Sequence, residues 1–523
     1  MTNHRWTRAC AALAVVVTVI PAQAAASSRS PSGPPHPAIA AGAVAASAQD
    51  SPGHAGSAVA HTPDSIQTRV ERVTRGLVLP VQVAGEEPVR HDLRDRMRHY
   101  RVPAVSVAVI ERERVEWARA WGVRGTEDGA AAEAGTLFQA ASISKPIAAL
   151  AALRLVARGQ LDLDAAVDGA LRGWRIPRDP GNETGDVTLR RLLSHTAGLS
   201  VHGFPGYEAG EAIPGLLEIL DGRGRANSPP VVVEAEPGAE WRYSGGGYTV
   251  VQLLIEEATG RPFERVMREL LDELGMRGST YAQPLPDSLA ARAAAGHRTD
   301  GRPLRGGWHV YPEAAATGLW TTPSDLARYM IAVGRWMAGE SGGVLSPEMT
   351  REMLAPGPNR WGLGPATAGA GLDFRFEHTG SNEGYRSRFV YFPRRGIGAA
   401  IMTNGDGGEA LAEEILYAIA DEYEWPDIAP RRVRALPLSA GLAVEYAGRY
   451  RVPEAPDMGV ALEWRRGGLE LRLAGRPPSR VVRVARDRFV IMSDGAPLRF
   501  ERGPDGRVSA AVAYGTRALR EGR

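Results

Sequence analysis

The sequence holds one cysteine and one lysine in 523 residues. The cysteine, Cys10, sits at the start of the first apolar run, so residues 11–523 contain no thiol. Disulfide bonds, thiolate nucleophiles and cysteine-ligated metals are excluded there. The shortage of lysine says more. Of 62 Lys and Arg side chains, 61 are Arg. Arginine keeps its proton in a protein, whereas a desolvated lysine can lose it. A chain that meets nearly every need for a cation with Arg, and uses Lys once at Lys145, marks that position as one calling for a neutral amine.

Other absences narrow the function further. Residues 1–24 carry Arg5 and Arg8 and no acid, and the remainder has 60 basic against 60 acidic side chains. Nothing in that balance favours nucleic acid or an anionic membrane surface. The 11 histidines show no His-Glu-x-x-His or comparable ligand spacing, so no catalytic metal is expected, and no cofactor. No repeat of solenoid length is present. The only long apolar run is Ala9 to Pro21, too short for a comfortable membrane span. With Arg5 and Arg8 before it and Ala22-Gln23-Ala24 after it, it reads as a signal peptide over residues 1–24, which predicts a periplasmic or extracellular protein with no stable membrane span after cleavage.

What is there is a folded protein, 44% hydrophobic and 23% charged, long enough for several units. Residues 25–65 are rich in Ala, Ser, Pro and Gly and predict a disordered linker. Val102 to Ile110 and Val115 to Val123 read as a hairpin turning at Glu111–Arg114. Pro146 to Arg158 predicts a buried helix closed by Gly159, with further helices at Val187–Leu193, Tyr248–Ala258, Phe263–Leu274 and Leu326–Met337. Asp373–Glu377, Ser387–Phe392 and Ile397–Thr403 read as strands, and Glu409–Tyr423 as a closing helix. Strands, a helical middle, then strands and a helix predict an α+β layer with a helical insertion over residues 66–430. From residue 436 to 523, six short strands between Gly-rich turns predict a small all-β sandwich or barrel.

The chemistry centres on Ser142-Ile143-Ser144-Lys145. Ser142 and Lys145, at i and i+3, share a helix face, which sets a nucleophile beside its base. Ser142 would lie near the first turn of the helix, where free backbone N–H groups favour developing negative charge. Two more segments follow in order: Tyr243-Ser244-Gly245 and His378-Thr379-Gly380. His195, in Ser194-His195-Thr196, is read as structural, and Asp162 and Asp164 as turn or capping residues.

These three segments resemble the motifs of the serine β-lactamase and penicillin-binding-protein superfamily, closest to the branch holding class C β-lactamases, D-alanyl-D-alanine carboxypeptidases, D-aminopeptidases and β-lactamase-like esterases. The resemblance spans roughly Arg69 to Tyr423. It implies a β-lactamase/transpeptidase-like antiparallel sheet with flanking helices and a helical subdomain, and the tail resembles the small barrel-like domain appended to some relatives. It implies that Ser142 is acylated, that Lys145 and Tyr243 share the proton shuttle in an order left open, and that the backbone N–H groups of Ser142 and Ser381 form the oxyanion hole. His378, Thr379 and Gly380 would face the substrate from an edge strand. His378 stands where relatives carry a carboxylate-binding Lys, and could bind a carboxylate only if charged. Gly245 replaces an Asn of the family pattern, which points away from β-lactams toward esters or small peptides. The expected function is an exported serine hydrolase acting on an ester, amide or D-amino-acid peptide. The alternative is an inactive relative that binds cell-wall peptides or partners.

Overall fold

A computed structural model describes residues 65–522 except 128, 182, 183 and 475. The expected signal peptide, and all but the last residue of the expected linker, lie outside the described residues.

Two helices come first, α1 (Ile66–Arg75) and α2 (Leu93–Tyr100). Strand β1 (Ala104–Glu111) turns back through two residues with left-handed backbones, Arg112 and Glu113, into β2 (Arg114–Gly122). After β2 the chain enters the helical middle: α3 (Ser144–Ala157), α4 (Leu189–Leu193), α5 (Gly245–Thr259), α6 (Ala314–Thr317) and α7 (Pro323–Ala338) carry the site and its support. Strands β3 (Ala366–Ala368), β4 (Arg375–Asn382), β5 (Tyr385–Phe392) and β6 (Ile397–Thr403) then complete an antiparallel sheet in the order β2-β1-β6-β5-β4-β3, and α8 (Gly408–Glu422) closes it.

The alternation of β1 explains the layering. Val105, Val107 and Val109 project into one core with α1, α2 and α8. Ala104, Ala108 and Ile110 project into the other, larger core with α3, α5 and α7. A strand covered on both faces is apolar at nearly every position, as β1 is. On the first face, Arg96 of α2 meets Glu414 of α8 through two 2.7 Å hydrogen bonds, and the Tyr100 hydroxyl donates to the same carboxylate at 2.6 Å. The pair is buried, so these bonds are what allow the charges to stay there.

The tail forms a closed barrel of eight strands: β7 (Gly448–Val452), β8 (Ala455–Arg465), β9 (Gly468–Leu473), β10 (Ser479–Ala485), β11 (Arg488–Ile491), β12 (Pro497–Arg502), β13 (Val508–Ala513) and β14 (Thr516–Arg520). Closure leaves no free sheet edge. Tyr446, Tyr450, Phe489 and Phe500 pack together inside it, so side chains fill the interior. The sequence pattern missed β7 and β14, which pair with each other to close the ring. The barrel is seated on a parallel ladder between Val81–Val83 and Arg431–Val433, where Val482, Val490 and Met492 bury against Val81, Val83 and Val433.

Candidate active site

Ser142 lies in a single 3-10 turn, Ala141–Ile143, that runs directly into α3. Ala141 holds a left-handed backbone (φ 51°), an unfavourable conformation for a residue with a Cβ. The surroundings hold it there. Ala140 N–H donates to Leu319 O at 2.8 Å, Ser144 Oγ donates to Ala141 O at 2.6 Å, and Leu319 N–H donates back to Ser144 Oγ at 2.9 Å. Strand β4 lies against the same turn. A Cβ on Gly380 would stand 2.1 Å from Ala140 O, so only glycine lets the strand approach this closely. Ser387 Oγ of β5 donates to Ala140 O at 2.8 Å.

One turn after Ser142, at the second residue of α3, the Lys145 side chain faces back. Its Nζ is 3.0 Å from Ser142 Oγ and 2.8 Å from Ala316 O of α6. The side chain is buried, and burial alone lowers its pKa from the usual 10.5 to about 7. Near neutral pH a large fraction is therefore free amine, the form the scarcity of lysine led us to expect. A buried amide network fixes α6: Asn382 Nδ2 donates to Gln139 Oε1 at 2.7 Å, and Thr317 Oγ1 donates to Asn382 Oδ1.

Tyr243 comes from the other side, immediately before α5. Ser244 caps that helix by accepting Gly247 N–H at 2.9 Å, and donates its own hydroxyl to Ser200 O at 2.7 Å. The helix begins at Gly245, three residues earlier than the apolar pattern predicts, because this cap supplies the start signal that three glycines lack. The Lys145 Nζ lies 5.0 Å from the Tyr243 ring centroid. Burial pushes the phenol well above its usual pKa, and the Ser142 hydroxyl opposes that by hydrogen bonding to it.

His378 lies on a strand as expected, but β4 runs on past Glu377 to Asn382 and is not the edge of the sheet, because β3 pairs outside it. The alternation Phe376, His378, Gly380, Asn382 faces inward, while Thr379 and Ser381 are exposed. His378 Nδ1 donates to Thr379 O at 2.6 Å; since a carbonyl can only accept, Nε2 carries the lone pair. Burial, then the Lys145 charge, lowers its pKa to about 3. The imidazole is neutral at any ordinary pH, so the conditional expectation of a charged carboxylate anchor at this position fails.

Three features were not legible beforehand. His195 accepts the Ser244 N–H on Nδ1 at 3.1 Å and lies 4.2 Å from the Tyr243 ring, so its structural role is exercised directly on a site residue. His202 is exposed at the rim, 4.9 Å from the same ring. Trp361 reaches in from a distant loop to within 5.7 Å of Tyr243 and 5.4 Å of His378. The Gly245 departure also has a cause: a Cβ there would lie 3.0 Å from both His202 O and the Phe204 ring, so the loop occupies the space an Asn side chain needs. Among the described residues no group of three or more His, Cys, Asp or Glu side chains could hold a metal ion.

Residues 89–424 match the family model described as Beta-lactamase, and the chain belongs to that family. It is a serine hydrolase of the penicillin-binding-protein-like type. The esterase EstB of Burkholderia gladioli is 32% identical over 298 residues, covering 52% of this chain and 74% of the esterase. Penicillin-binding protein 4 of Amycolatopsis lactamdurans is 27% identical over 372 residues, covering 66% of this chain and 93% of its own. The fold is shared with the octameric penicillin-binding protein homologue from Pyrococcus abyssi, at a TM-score of 0.57 and 22% identity over 82% of this chain and 98% of that one.

Proposed function

We propose that this protein is an exported hydrolase that cleaves small esters through an acyl-enzyme on Ser142. The observation that carries this is the buried Lys145 amine, 3.0 Å from Ser142 Oγ with a pKa of about 7. Lys145 takes the Ser142 proton as Oγ adds to the substrate carbonyl. The oxyanion is held by the N–H groups of Ser142 and Ser381, a kind of contact worth about 3 kcal/mol per donor. Tyr243, kept protonated by burial, gives its proton to the leaving alkoxide and regains one from Lys145. Water then adds to the acyl carbonyl by the same route in reverse and frees Ser142.

Neutral His378 and the loop beside Gly245 support esters over substrates ending in a carboxylate. The similarity to an esterase points the same way. A fluorophosphonate probe should label Ser142 in the pure protein, and a panel of p-nitrophenyl esters, D-amino-acid amides and nitrocefin should show turnover of esters first. A protein that takes no label and hydrolyses no activated ester is not this enzyme.

A further inference from the structure

The loop that delivers Trp361 is built at a conformational disadvantage. Asn359 and Arg360 are consecutive non-glycine residues with left-handed backbones, at φ 52° and 57°. Such strain persists only where neighbours enforce it, and it concentrates at functional places. Here the enforcement is dense. Arg360 Nη2 donates to Gly369 O at 2.8 Å, Thr367 Oγ1 donates to Arg360 O at 2.7 Å, and Gly357 N–H donates to Trp361 O at 2.9 Å. The strain does not serve the core, because residues 355–360 are all exposed. What the loop carries inward is the Trp361 ring. That ring meets His195 at 5.1 Å, Trp241 at 5.4 Å, His378 at 5.4 Å and Tyr243 at 5.7 Å.

The wall so formed is aromatic and uncharged. His195, His202 and His378 are all held below the usual imidazole pKa, partly by Lys145 itself. Trp361 and Trp241 remain half-exposed beside a half-exposed Ser142. Three buried polar atoms of the wall find no protein partner among the described residues: the Trp241 Nε1–H and His195 Nε2–H donors and the His378 Nε2 acceptor. All three belong to neutral groups and suit a neutral polar partner. A carboxylate placed against these rings would lose its hydration, and the nearby cation, Lys145, is only partly protonated at neutral pH and already bonded to Ser142 Oγ and Ala316 O.

We propose that Trp361, with Trp241, forms the acyl-recognition wall and selects uncharged aromatic or branched acyl groups against acyl groups bearing a carboxylate. This rests on Ser142 being the nucleophile. The test uses the mature protein with p-nitrophenyl phenylacetate and p-nitrophenyl hemisuccinate, comparing wild type with Trp361→Leu and Trp361→Ala. In wild type kcat/KM for the phenylacetate exceeds that for the hemisuccinate at least about ten-fold, and in both variants that ratio falls about ten-fold, mainly through KM for the phenylacetate. Trp361→Phe restores most of it. An unchanged ratio in the variants, a uniform loss on both esters, or a wild type indifferent to the carboxylate overturns the proposal. Fluorophosphonate labelling of the wild type separates the two ideas: absent labelling removes the hydrolase itself, while labelling with flat acyl selectivity removes only the wall.

Discussion

The His195 imidazole lies 4.2 Å from the Tyr243 ring, tilted by 31°, while its Nδ1 accepts the backbone N–H of the next residue, Ser244. One buried side chain thus sets both the position of the phenol and the start of the helix behind it. His195→Ala removes the ring support and leaves a buried N–H without its acceptor, so it should destabilise the fold by about 2–4 kcal/mol. It should also lower kcat more than it raises KM. Chemical denaturation and ester kinetics on the same preparation check both.

Lys145 should impose an ascending limb on the pH profile. With a pKa of about 7, kcat/KM for an ester rises through that pH and levels above it. His378, at about 3, adds no second limb in the neutral range. A profile flat from pH 5 to 9 would mean that Lys145 is not the proton acceptor.

The same group makes stability depend on pH. Its folded pKa lies below the unfolded value of about 10.5, so the folded chain binds fewer protons between about 7 and 10.5 and stability rises with pH there. The penalty is complete below pH 7 and is on the order of 5 kcal/mol at most. Lys145→Met should therefore abolish about 10²–10⁴-fold of the turnover, yet melt at a higher temperature than wild type at pH 6. The gain should shrink toward pH 10, as thermal scans across that range will show.

Gly245→Asn brings the side chain back to the family pattern, but into space held by His202 O and Phe204. Overpacking of this kind costs about 1–3 kcal/mol. The variant should lose ester activity and gain no nitrocefin turnover, read from initial rates at matched concentration.

If residues 1–24 are a signal peptide, the protein recovered from outside the cytoplasm of an expressing bacterium should begin at Ala25. Intact mass and N-terminal sequencing decide this, and a retained Met1 on exported protein contradicts it.

Much of the scaffold could be read from pattern. The apolar stretch Val102 to Ile110 and the buried-helix run from Pro146 to its close at Gly159 are local signals, and local signals settle local structure. The missed elements are those whose reason is not local. Strands β7 and β14 exist because each completes the other's hydrogen bonding. The α5 start needs Ser200, 44 residues away, to fix its cap.

For the site, the sequence alone determined the chemistry on offer: a hydroxyl and an amine three residues apart, in a chain that otherwise avoids lysine. Helical spacing is enough to make those two meet. Whether the amine is neutral, whether the site imidazoles carry charge, and which aromatic rings surround Tyr243 were decided only by the tertiary structure. Those properties come from desolvation and from loops that arrive across more than a hundred residues, and neither is written in the order of neighbours along the chain.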